Sequence, residues 1–396
     1  MTGTTVGIDA SNIRAGGGIT HLGQLLRAAR PWESGIEQMI VWGSGPTLDE
    51  LPERGWLEKV HVPLLDGPLP ARVFWQQVLL PRRLLRSACD VLFSPGGTLP
   101  WRALVVSVTM SRNLLPFEAK EAARFSLFSF KRWKMALLRR AQSSSMKNAD
   151  GLIFLTRYAK AVVLSALGHP AKRTVIVPHG IEGRFFREPG PAVPLSEFDF
   201  SNPFKILYVS IVDVYKHQWQ VVEAVGLLRR RGLPVELDLV GPAYPPALKR
   251  LRATISKVDP AGNFVRYNGP IPFRELHTAY HQADAFVFAS SCETIANILL
   301  EAMAAGLPIA CSNKDPMPEV LGDAAGVYFD PERPEQIAEA LQRLAERDDL
   351  RSALAREAYT RATRYSWERC AAATFSFIAE CAGKGKAAGD LGAPKS

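Results

Sequence analysis

The chain has 396 residues, of which 47% are hydrophobic and 22% are charged. At about 100 to 200 residues per domain this length predicts two domains, and the composition excludes a disordered, collagen-like or disulfide-stapled protein. The formal charge of +9 is unevenly distributed. Residues 1–190 carry 25 Lys/Arg against 14 Asp/Glu, hence +11, and the remaining residues carry −2. The excess positive charge therefore belongs to the first half of the chain.

Short and nearly continuous apolar segments recur along the chain, as is typical of parallel strands that helices cover on both faces. In the first half they lie at 4–10, 39–44, 91–95, 103–110, 151–156 and 174–180. After a Pro-rich stretch the pattern restarts at 205–211, 236–242, 264–269, 285–290, 308–312 and 326–330. The sequence predicts two doubly wound α/β domains, 1–190 and 204–365, joined by a linker at 191–203. A last helix at 366–382 and a disordered tail at 383–396 complete the prediction.

Five scattered cysteines without a C-x-x-C spacing suggest reduced thiols rather than a disulfide framework or a zinc site. The N-terminus lacks a signal-peptide pattern and no run of 18 apolar residues occurs, so we expect a cytoplasmic protein whose membrane contact is peripheral. No His/Asp/Glu cluster has metal-ligand spacing. We therefore predict no metal and no obligatory cofactor.

Gly16, Gly17 and Gly18 follow the first predicted strand and precede a helical pattern. Ligands of open α/β sheets bind beyond the carboxyl ends of the strands, and a helix that begins there presents amides to an anion. The loop is not a dinucleotide fingerprint, because His21 stands where G-x-G-x-x-G needs its last glycine. We predict that this glycine loop faces a phosphate or an acceptor substrate. The alternative is that it is only a flexible connector. The cleft between the two domains is the expected site.

The strongest pattern is SSCETIANILLEAMAAGLPIACS at 290–312. Glu293 directly follows a predicted buried strand, and Glu301 comes eight residues later on a helix that begins near Ala296. An acid within an otherwise apolar helix is costly unless a polar group binds it. The two carboxylates are therefore predicted to address different parts of one elongated ligand.

This segment resembles the glutamate-x7-glutamate motif of the retaining glycosyltransferases of family 4 (glycosyl transferases group 1), which have the GT-B fold. The type is that of bacterial polysaccharide and O-antigen synthesis. Further segments resemble the family in order, more loosely in the first half: GGGITHL, ADVLFSPGG, ADGLIFLTRYAK, IVPHGIEGRFF, ILYVSIVDVYKHQWQVVEAVGLL, ELDLVGP and FVRYNGPIPFRELHTAYHQADAFVFAS. The resemblance implies two Rossmann-like domains facing across a cleft, with a C-terminal helix that crosses back to the first domain.

The resemblance also implies residue roles. Lys216 corresponds to the lysine that contacts the donor diphosphate, Glu293 to the acid placed against the donor sugar, and Glu301 to the acid that binds the ribose. Lys216 and Glu293 are the catalytic residues it implies. The remaining donor-binding positions are the helix-opening amides of Thr294, Ile295, Ala296 and Asn297, and the base-binding loop with Gly269 and Ile271.

The family usually has an arginine where this chain has Ile211. Arg112 or Arg14 is a candidate for the missing phosphate contact, with a structural or surface arginine as the alternative. The resemblance implies transfer of a hexose such as mannose from a GDP- or UDP-linked sugar to a growing, lipid-linked glycan. Two other classes are weighed against it. One is a non-catalytic GT-B partner or scaffold, favoured by Ile211; the other is a nicotinamide-dependent oxidoreductase, which the missing glycine fingerprint opposes.

Residues 122–149 contain seven Lys/Arg, no acidic residue and several aromatic side chains. A basic helix with aromatic content binds an anionic membrane surface, and each cation near the surface contributes about 1 kcal/mol. The alternative is a helix packed on its own sheet with a solvated basic face. Nucleic acid is not the predicted partner, because no recognition motif accompanies the charge.

Overall fold

The computed structural model describes residues 3–14, 16–126, 129–168 and 172–383. The chain divides into two units. Unit 1 comprises Met1–Ala119, Phe128–Gly180 and Ser366–Ser396, and unit 2 comprises Lys120–Leu127 and Ile181–Tyr365. The division differs from the predicted domain limits in two places: the chain enters unit 2 after Gly180, before the predicted linker at 191–203, and residues 120–127 belong to unit 2. The predicted tail, apart from Gly383, lies outside the described residues.

The described part of unit 1 is built on a seven-stranded sheet whose adjacent strands are all parallel, in the order β3-β2-β1-β4-β5-β6-β7. Its strands are β1 (Thr4–Asp9), β2 (Ile36–Gly43), β3 (Leu57–His61), β4 (Val91–Ser94), β5 (Val106–Met110), β6 (Gly151–Phe154) and β7 (Thr174–Ile176). The strand β3 was not predicted. It lies at the edge of the sheet, so most of its residues are not fully buried and its sequence LEKVH lacks an apolar run.

Helices connect these strands as the right-handed crossovers of a doubly wound sheet require. They are α1 (Gly17–Ala28), α2 (Gly45–Asp49), α3 (Pro63–Asp66), α4 (Leu69–Phe74), α5 (Leu80–Arg86), α6 (Ala119–Ala122), α7 (Phe130–Asn148) and α8 (Arg157–Leu167). A π-helical turn over Trp75–Leu79 joins α4 to α5. Short 3-10 turns lie at Pro31–Ser34, Gly183–Phe185, Leu195–Glu197 and Phe273–Glu275, the last three in unit 2.

Unit 2 contains a parallel six-stranded sheet in the order β10-β9-β8-β11-β12-β13 within the described residues. The strands are β8 (Phe204–Val209), β9 (Val235–Val240), β10 (Val265–Gly269), β11 (Ala285–Phe288), β12 (Ile309–Ser312) and β13 (Val327–Phe329). Its helices are α9 (Gln218–Arg230), α10 (Pro245–Val258), α11 (Leu276–His281), α12 (Asn297–Ala304), α13 (Met317–Leu321), α14 (Pro334–Glu346) and α15 (Asp348–Ala362).

The last helix, α16 (Trp367–Cys381), belongs to unit 1, where it contacts α1, β4, β5 and β6. Ser366 caps its first turn by accepting a hydrogen bond from the amide of Arg369. Gly180 lies so close to the start of α16 that a Cβ atom there would be 2.2 Å from the amide nitrogen of Trp367. Glycine at this position is what allows the two segments to meet.

Candidate functional site

The site in unit 2 lies where the strand order reverses. In chain order its sheet is 3-2-1-4-5-6, so the connections from β8 and β11, which are neighbours, leave in opposite directions. Ligands of open α/β sheets bind at this switch point, beyond the carboxyl ends of the strands. The loop after β8 carries Lys216, and the loop after β11 carries Glu293. The topology therefore brings together two residues that lie 77 positions apart in the sequence.

Lys216 and Glu293 form an ion pair through Nζ and Oε1. The pair is largely shielded, with 5% of the lysine side chain and 16% of the glutamate side chain exposed. Nζ also lies 5.2 Å from the ring centre of Tyr215 and 5.3 Å from that of Phe288. Removing either member of such a pair leaves an uncompensated charge in a poorly solvated place. The ion pair thus places a shielded cation and a shielded carboxylate at the switch point of the sheet.

The backbone around Lys216 is held in a demanding conformation. The Tyr208 hydroxyl donates to the Lys216 carbonyl at 2.5 Å. His217 has a φ of 53°, in the left-handed region that a side chain disfavours. Gly241, at the end of β9, has a φ of 140°, and a Cβ atom there would lie 2.1 Å from the Ser210 carbonyl oxygen. Glycine is thus required where the loop after β8 passes the neighbouring strand.

Glu301 lies on α12, which begins at Asn297 with Ala296 as its N-cap, close to where the sequence predicted. The Tyr280 hydroxyl from α11 donates to Glu301 Oε2 at 2.8 Å. Burial raises the pKa of Glu301 to about 8, opposed by the Tyr280 hydrogen bond and the charge of Arg184, and supported by the charge of Glu182. The sequence prediction treated this acid as unpaired, whereas the fold supplies it with a tyrosine partner.

The loop predicted to bind a base follows β10. Gly269 and Ile271 are both half-buried, and Gly269 has a φ of 68°. Two residues after Ile271, the Phe273 ring lies 4.4 Å below the guanidinium of Arg184, which also pairs with Glu182 at 3.0 Å. Because Arg184 acts electrostatically on Glu301, the loop and the acid belong to one neighbourhood. Neither Arg184 nor Phe273 was singled out from the sequence, although both lie in segments that carry the family resemblance.

The helix-opening residues lie between the two acids. Thr294, Ile295 and Ala296 are buried, and Asn297 is half-buried at the first position of α12. A helix N-terminus carries a partial positive charge. This charge adds to the positive potential of Lys216 near Glu293. The structure therefore brings the predicted donor residues into unit 2 on adjoining elements.

The predicted acceptor-side residues lie together in unit 1. Arg112, just after β5, donates from Nη2 to the Gly17 carbonyl oxygen at 2.6 Å. Gly16 has a φ of 60° and precedes α1, and beta carbons at Gly16 and Gly17 would meet open space. Burial lowers the pKa of Arg112 to about 10. One arginine after β5 thus braces the glycine loop that follows β1, two strands away in the sheet.

Among the described residues, no three His, Cys, Asp or Glu side chains are grouped so that they could hold a metal ion. No helix in the described part of the chain combines the length and apolar character needed to cross a bilayer.

Comparisons with known proteins agree with this architecture. The sequence-family model described as "Glycosyl transferases group 1" matches residues 196–361. The family model described as "Glycosyltransferase Family 4" matches residues 15–183. Sucrose-phosphate synthase from Thermosynechococcus elongatus superposes with a TM-score of 0.72 at 18% identity, covering 94% of this chain and 97% of that one. HepE from Anabaena, solved in complex with UDP, superposes with a TM-score of 0.67 at 16% identity, covering 94% of this chain and 98% of that one. These likenesses define the fold as GT-B.

A curated relative is O-antigen chain mannosyltransferase B of Escherichia coli, 24% identical over 252 residues, which are 61% of this chain and 64% of that protein. The matches to the next two relatives span 44% and 51% of those proteins' lengths. The chain thus covers less than two thirds of the first curated relatives that it matches. With a family model matched in each half, the chain belongs to the family 4, group 1 glycosyltransferases.

Proposed function

We propose that this protein is a retaining glycosyltransferase that transfers a hexose from a nucleoside diphosphate sugar to a growing glycan of a surface polysaccharide. The observation that carries the proposal is the Lys216–Glu293 ion pair at the switch point of unit 2, in a chain of this family. The Glu301 carboxyl, on the helix that follows Glu293, supplies a second polar contact for the donor.

In this proposal the donor diphosphate binds at Lys216 and at the amides that open α12. A single cation in a shielded place stabilises the charge that develops on a leaving phosphate more strongly than it would in water. Glu293 accepts hydrogen bonds from the hydroxyls of the transferred sugar. Glu301 accepts from the ribose, and the base lies by Gly269 and Ile271, where Arg184 and Phe273 stack.

The proposed reaction keeps the configuration of the sugar. The bond between the anomeric carbon and the diphosphate oxygen breaks, and the acceptor hydroxyl forms its bond to that carbon from the same face. The hydroxyl proton passes to an oxygen of the departing phosphate. Catalysis then rests on positioning and charge stabilisation rather than on a protein nucleophile.

The names of related proteins guide the choice of donor. One relative is named as an O-antigen chain mannosyltransferase and another as a GDP-mannose-dependent mannosyltransferase of Mycobacterium tuberculosis. We therefore propose a hexose such as mannose, on GDP or UDP, as the substrate class. Arg184 stacks on Phe273, so the base platform offers a cation and an aromatic face that suit a purine or a pyrimidine alike.

A panel of UDP- and GDP-linked sugars, screened by thermal shift, tests this function. A ligand that binds the folded state raises stability by RT ln(1 + [L]/Kd), which is about 2.7 kcal/mol at 100-fold excess over Kd. We expect one nucleotide class to raise the melting temperature and to be consumed when a glycan acceptor is added. Donor hydrolysis or transfer would exclude the non-catalytic alternative, whereas a panel without a stabilising nucleotide would contradict the proposal.

We further propose that unit 1 binds an anionic membrane surface through α7, at the inner face of the cell membrane. Of the predicted segment 122–149 we include only this helix in the proposed surface, because Arg124 lies in unit 2 and pairs with Glu121 and Glu332. Phe125 is buried there too. On α7, Phe130, Trp133 and Leu137 are 83%, 66% and 71% exposed. Large apolar side chains at i, i+3 and i+7 form one stripe of a helix.

A second group of exposed apolar side chains lies on the helical segment before β4. These side chains are Leu69, Val73, Phe74, Val78 and Leu85. Trp101, in the loop after β4, is 77% exposed. Gln77 accepts from the Trp101 amide at 2.8 Å, and Ser145 of α7 accepts from the Leu99 amide at 2.9 Å. The loop 99–101 therefore joins the two helical segments. The parts of this stretch that belong to unit 1, residues 67–119 and 128–149, contain 12 Lys/Arg and two Asp/Glu. This charge favours an anionic lipid surface over a neutral protein partner.

Charge reversal on α7 tests the membrane proposal. Lys134, Arg139 and Arg140 are exposed, and their replacement by glutamate removes about 1 kcal/mol per cation, so affinity for vesicles with anionic lipid should fall on the order of 100-fold. Cosedimentation with phosphatidylglycerol vesicles at low salt measures this affinity. The matched control reverses three exposed cations of α10 in unit 2, Lys249, Arg252 and Lys257. Equal losses in both variants, or salt-independent binding, would contradict a surface on α7.

A further inference from the structure

A short segment of the first half of the chain belongs to the donor-side unit. After Ala119 the chain leaves unit 1, and residues 120–127 are part of unit 2 before it returns. Phe125 is 3% exposed and packs its ring edge-on against Tyr244 at 6.1 Å. Glu121 is 7% exposed, on the short helix α6. A buried carboxylate needs specific partners, so what binds Glu121 is informative.

The carboxylate of Glu121 has two partners. Its Oε2 accepts from Ser291 Oγ at 2.7 Å and from Arg124 Nε at 2.7 Å, and its Oε1 accepts from Arg124 Nη2 at 3.2 Å. Arg124 in turn pairs with Glu332. Two-point arginine–carboxylate contacts fix geometry as well as charge. Glu121 is therefore held in one orientation, with one oxygen directed at Ser291.

Ser291 is the residue that joins the two loops of the site. It lies two positions before Glu293, and its amide donates to the Tyr215 carbonyl, one residue before Lys216, at 2.9 Å. Its hydroxyl lies 3.0 Å from His217 Nε2, one residue after Lys216. A single hydroxyl thus contacts Glu121 and the residue that follows the donor-binding lysine.

The direction of these hydrogen bonds follows from the chemistry of the groups. The Ser291 hydroxyl lies 2.7 Å from Glu121 Oε2 and 3.2 Å from the Tyr215 carbonyl oxygen. Both of these oxygens only accept, so the one proton of Ser291 is directed to them, chiefly to the nearer Glu121, and the serine oxygen must then accept from His217. His217 is therefore the tautomer that carries its proton on Nε2. Among the described residues Nδ1 of His217 has no hydrogen-bond partner. Burial lowers the pKa of His217 to about 4, so the ring is neutral at physiological pH.

We propose that Glu121 is a positioning residue for glycosyl transfer: through Ser291 and His217 it holds the loops of Lys216 and Glu293 in register. The inference rests on the proposed function, in which this pair binds the donor. His217 occupies a left-handed backbone conformation that its surroundings must stabilise, and the Ser291 contact is one such support. Reacting groups displaced by about 1 Å lose on the order of 100-fold in rate.

The experiment compares Glu121→Ala and Glu121→Gln with Glu118→Gln. Glu118 lies three residues earlier and accepts from the Tyr158 hydroxyl. It is a matched carboxylate that belongs to unit 1, whereas both loops belong to unit 2. We expect Glu121→Ala to lower kcat about 10- to 100-fold. Glutamine keeps an acceptor for Ser291 but loses the charge that binds Arg124. The kcat of Glu121→Gln should therefore lie between that of Glu121→Ala and that of the parent. Glu118→Gln should match the parent.

A second readout separates positioning from loss of folding. In ¹⁵N-labelled protein the imidazole shifts of His217, assigned with a His217→Asn variant, should show the Nε2–H tautomer in the parent and a mixture in Glu121→Ala. Parent-like kcat and tautomer in both Glu121 variants would overturn the proposal, as would an equal fall in Glu118→Gln. If the parent binds neither UDP nor GDP, the proposed function fails, but the tautomer comparison still decides the role of Glu121.

Discussion

Replacement of Lys216 by alanine is expected to lower kcat of glycosyl transfer by about 100- to 1,000-fold, the usual loss when one preorganised charge-stabilising donor is removed. In the proposed function, the variant loses the cation that faces the leaving diphosphate. It also leaves Glu293 without its ion-pair partner in a place where only 16% of that side chain is exposed. An unpaired carboxylate there repels an anionic donor, so nucleotide affinity falls together with turnover.

Isothermal calorimetry with UDP and GDP, alongside donor turnover, measures both effects. Lys205→Ala is the matched control, because Lys205 lies at the opposite end of β8 with an exposed side chain. We expect that control to resemble the parent in affinity and rate. Lysine and arginine differ in shape, so Lys216→Arg should recover part of the affinity but little of kcat. Unchanged nucleotide affinity and turnover in Lys216→Ala would show that the donor binds elsewhere.

The second large effect is expected at Glu301, whose carboxyl should lose a proton when nucleotide binds. Burial raises its pKa to about 8 in the folded protein, so most molecules carry a proton on it at pH 7. Ribose hydroxyls donate to a carboxylate, which must be ionised to accept both. We therefore expect nucleotide binding at pH 7 to release up to one proton, and affinity to rise with pH until about pH 8. Glu301→Gln should abolish the release and weaken binding about 10- to 100-fold, the range for a hydrogen bond to a charged group.

Calorimetry in two buffers of different ionisation enthalpy counts the released protons. Glu339→Gln, an exposed acid on α14, is the control and should behave as the parent. The effect of the Glu301 carboxyl on folding stability has the opposite pH dependence to that of an ordinary carboxylate, whose folded pKa is lowered. Because the folded pKa lies above the unfolded one, Glu301 contributes less stability as pH rises from 4.5 towards 8, and glutamine removes that dependence. Binding without proton release in the parent would contradict a ribose contact at Glu301.

Most strands could be predicted because they are buried on both faces and therefore read as apolar runs. The edge strand β3 was missed because its sequence LEKVH mixes polar and apolar residues and contains no apolar run, whereas the edge strands β7, β10 and β13 were predicted. The start of α12 near Ala296 was predicted from the change of pattern after β11. The entry into unit 2 at residue 120 left no mark in the sequence, because Glu121 and Phe125 are buried by contacts with Ser291 and Tyr244, distant in the chain.

The sequence by itself determined the class of fold and the family, since these depend on local period and on the order of motifs. The resemblance to that family also predicts Lys216, Glu293 and Glu301 as site residues. Only the tertiary structure decided which groups meet. The parallel order of unit 2 pairs Lys216 with Glu293 across 77 residues, α11 supplies Tyr280 to Glu301, and residues 120–126 bring Glu121 to the hydroxyl of Ser291. Contacts between distant segments depend on how strands are ordered and helices pack, which no local pattern records.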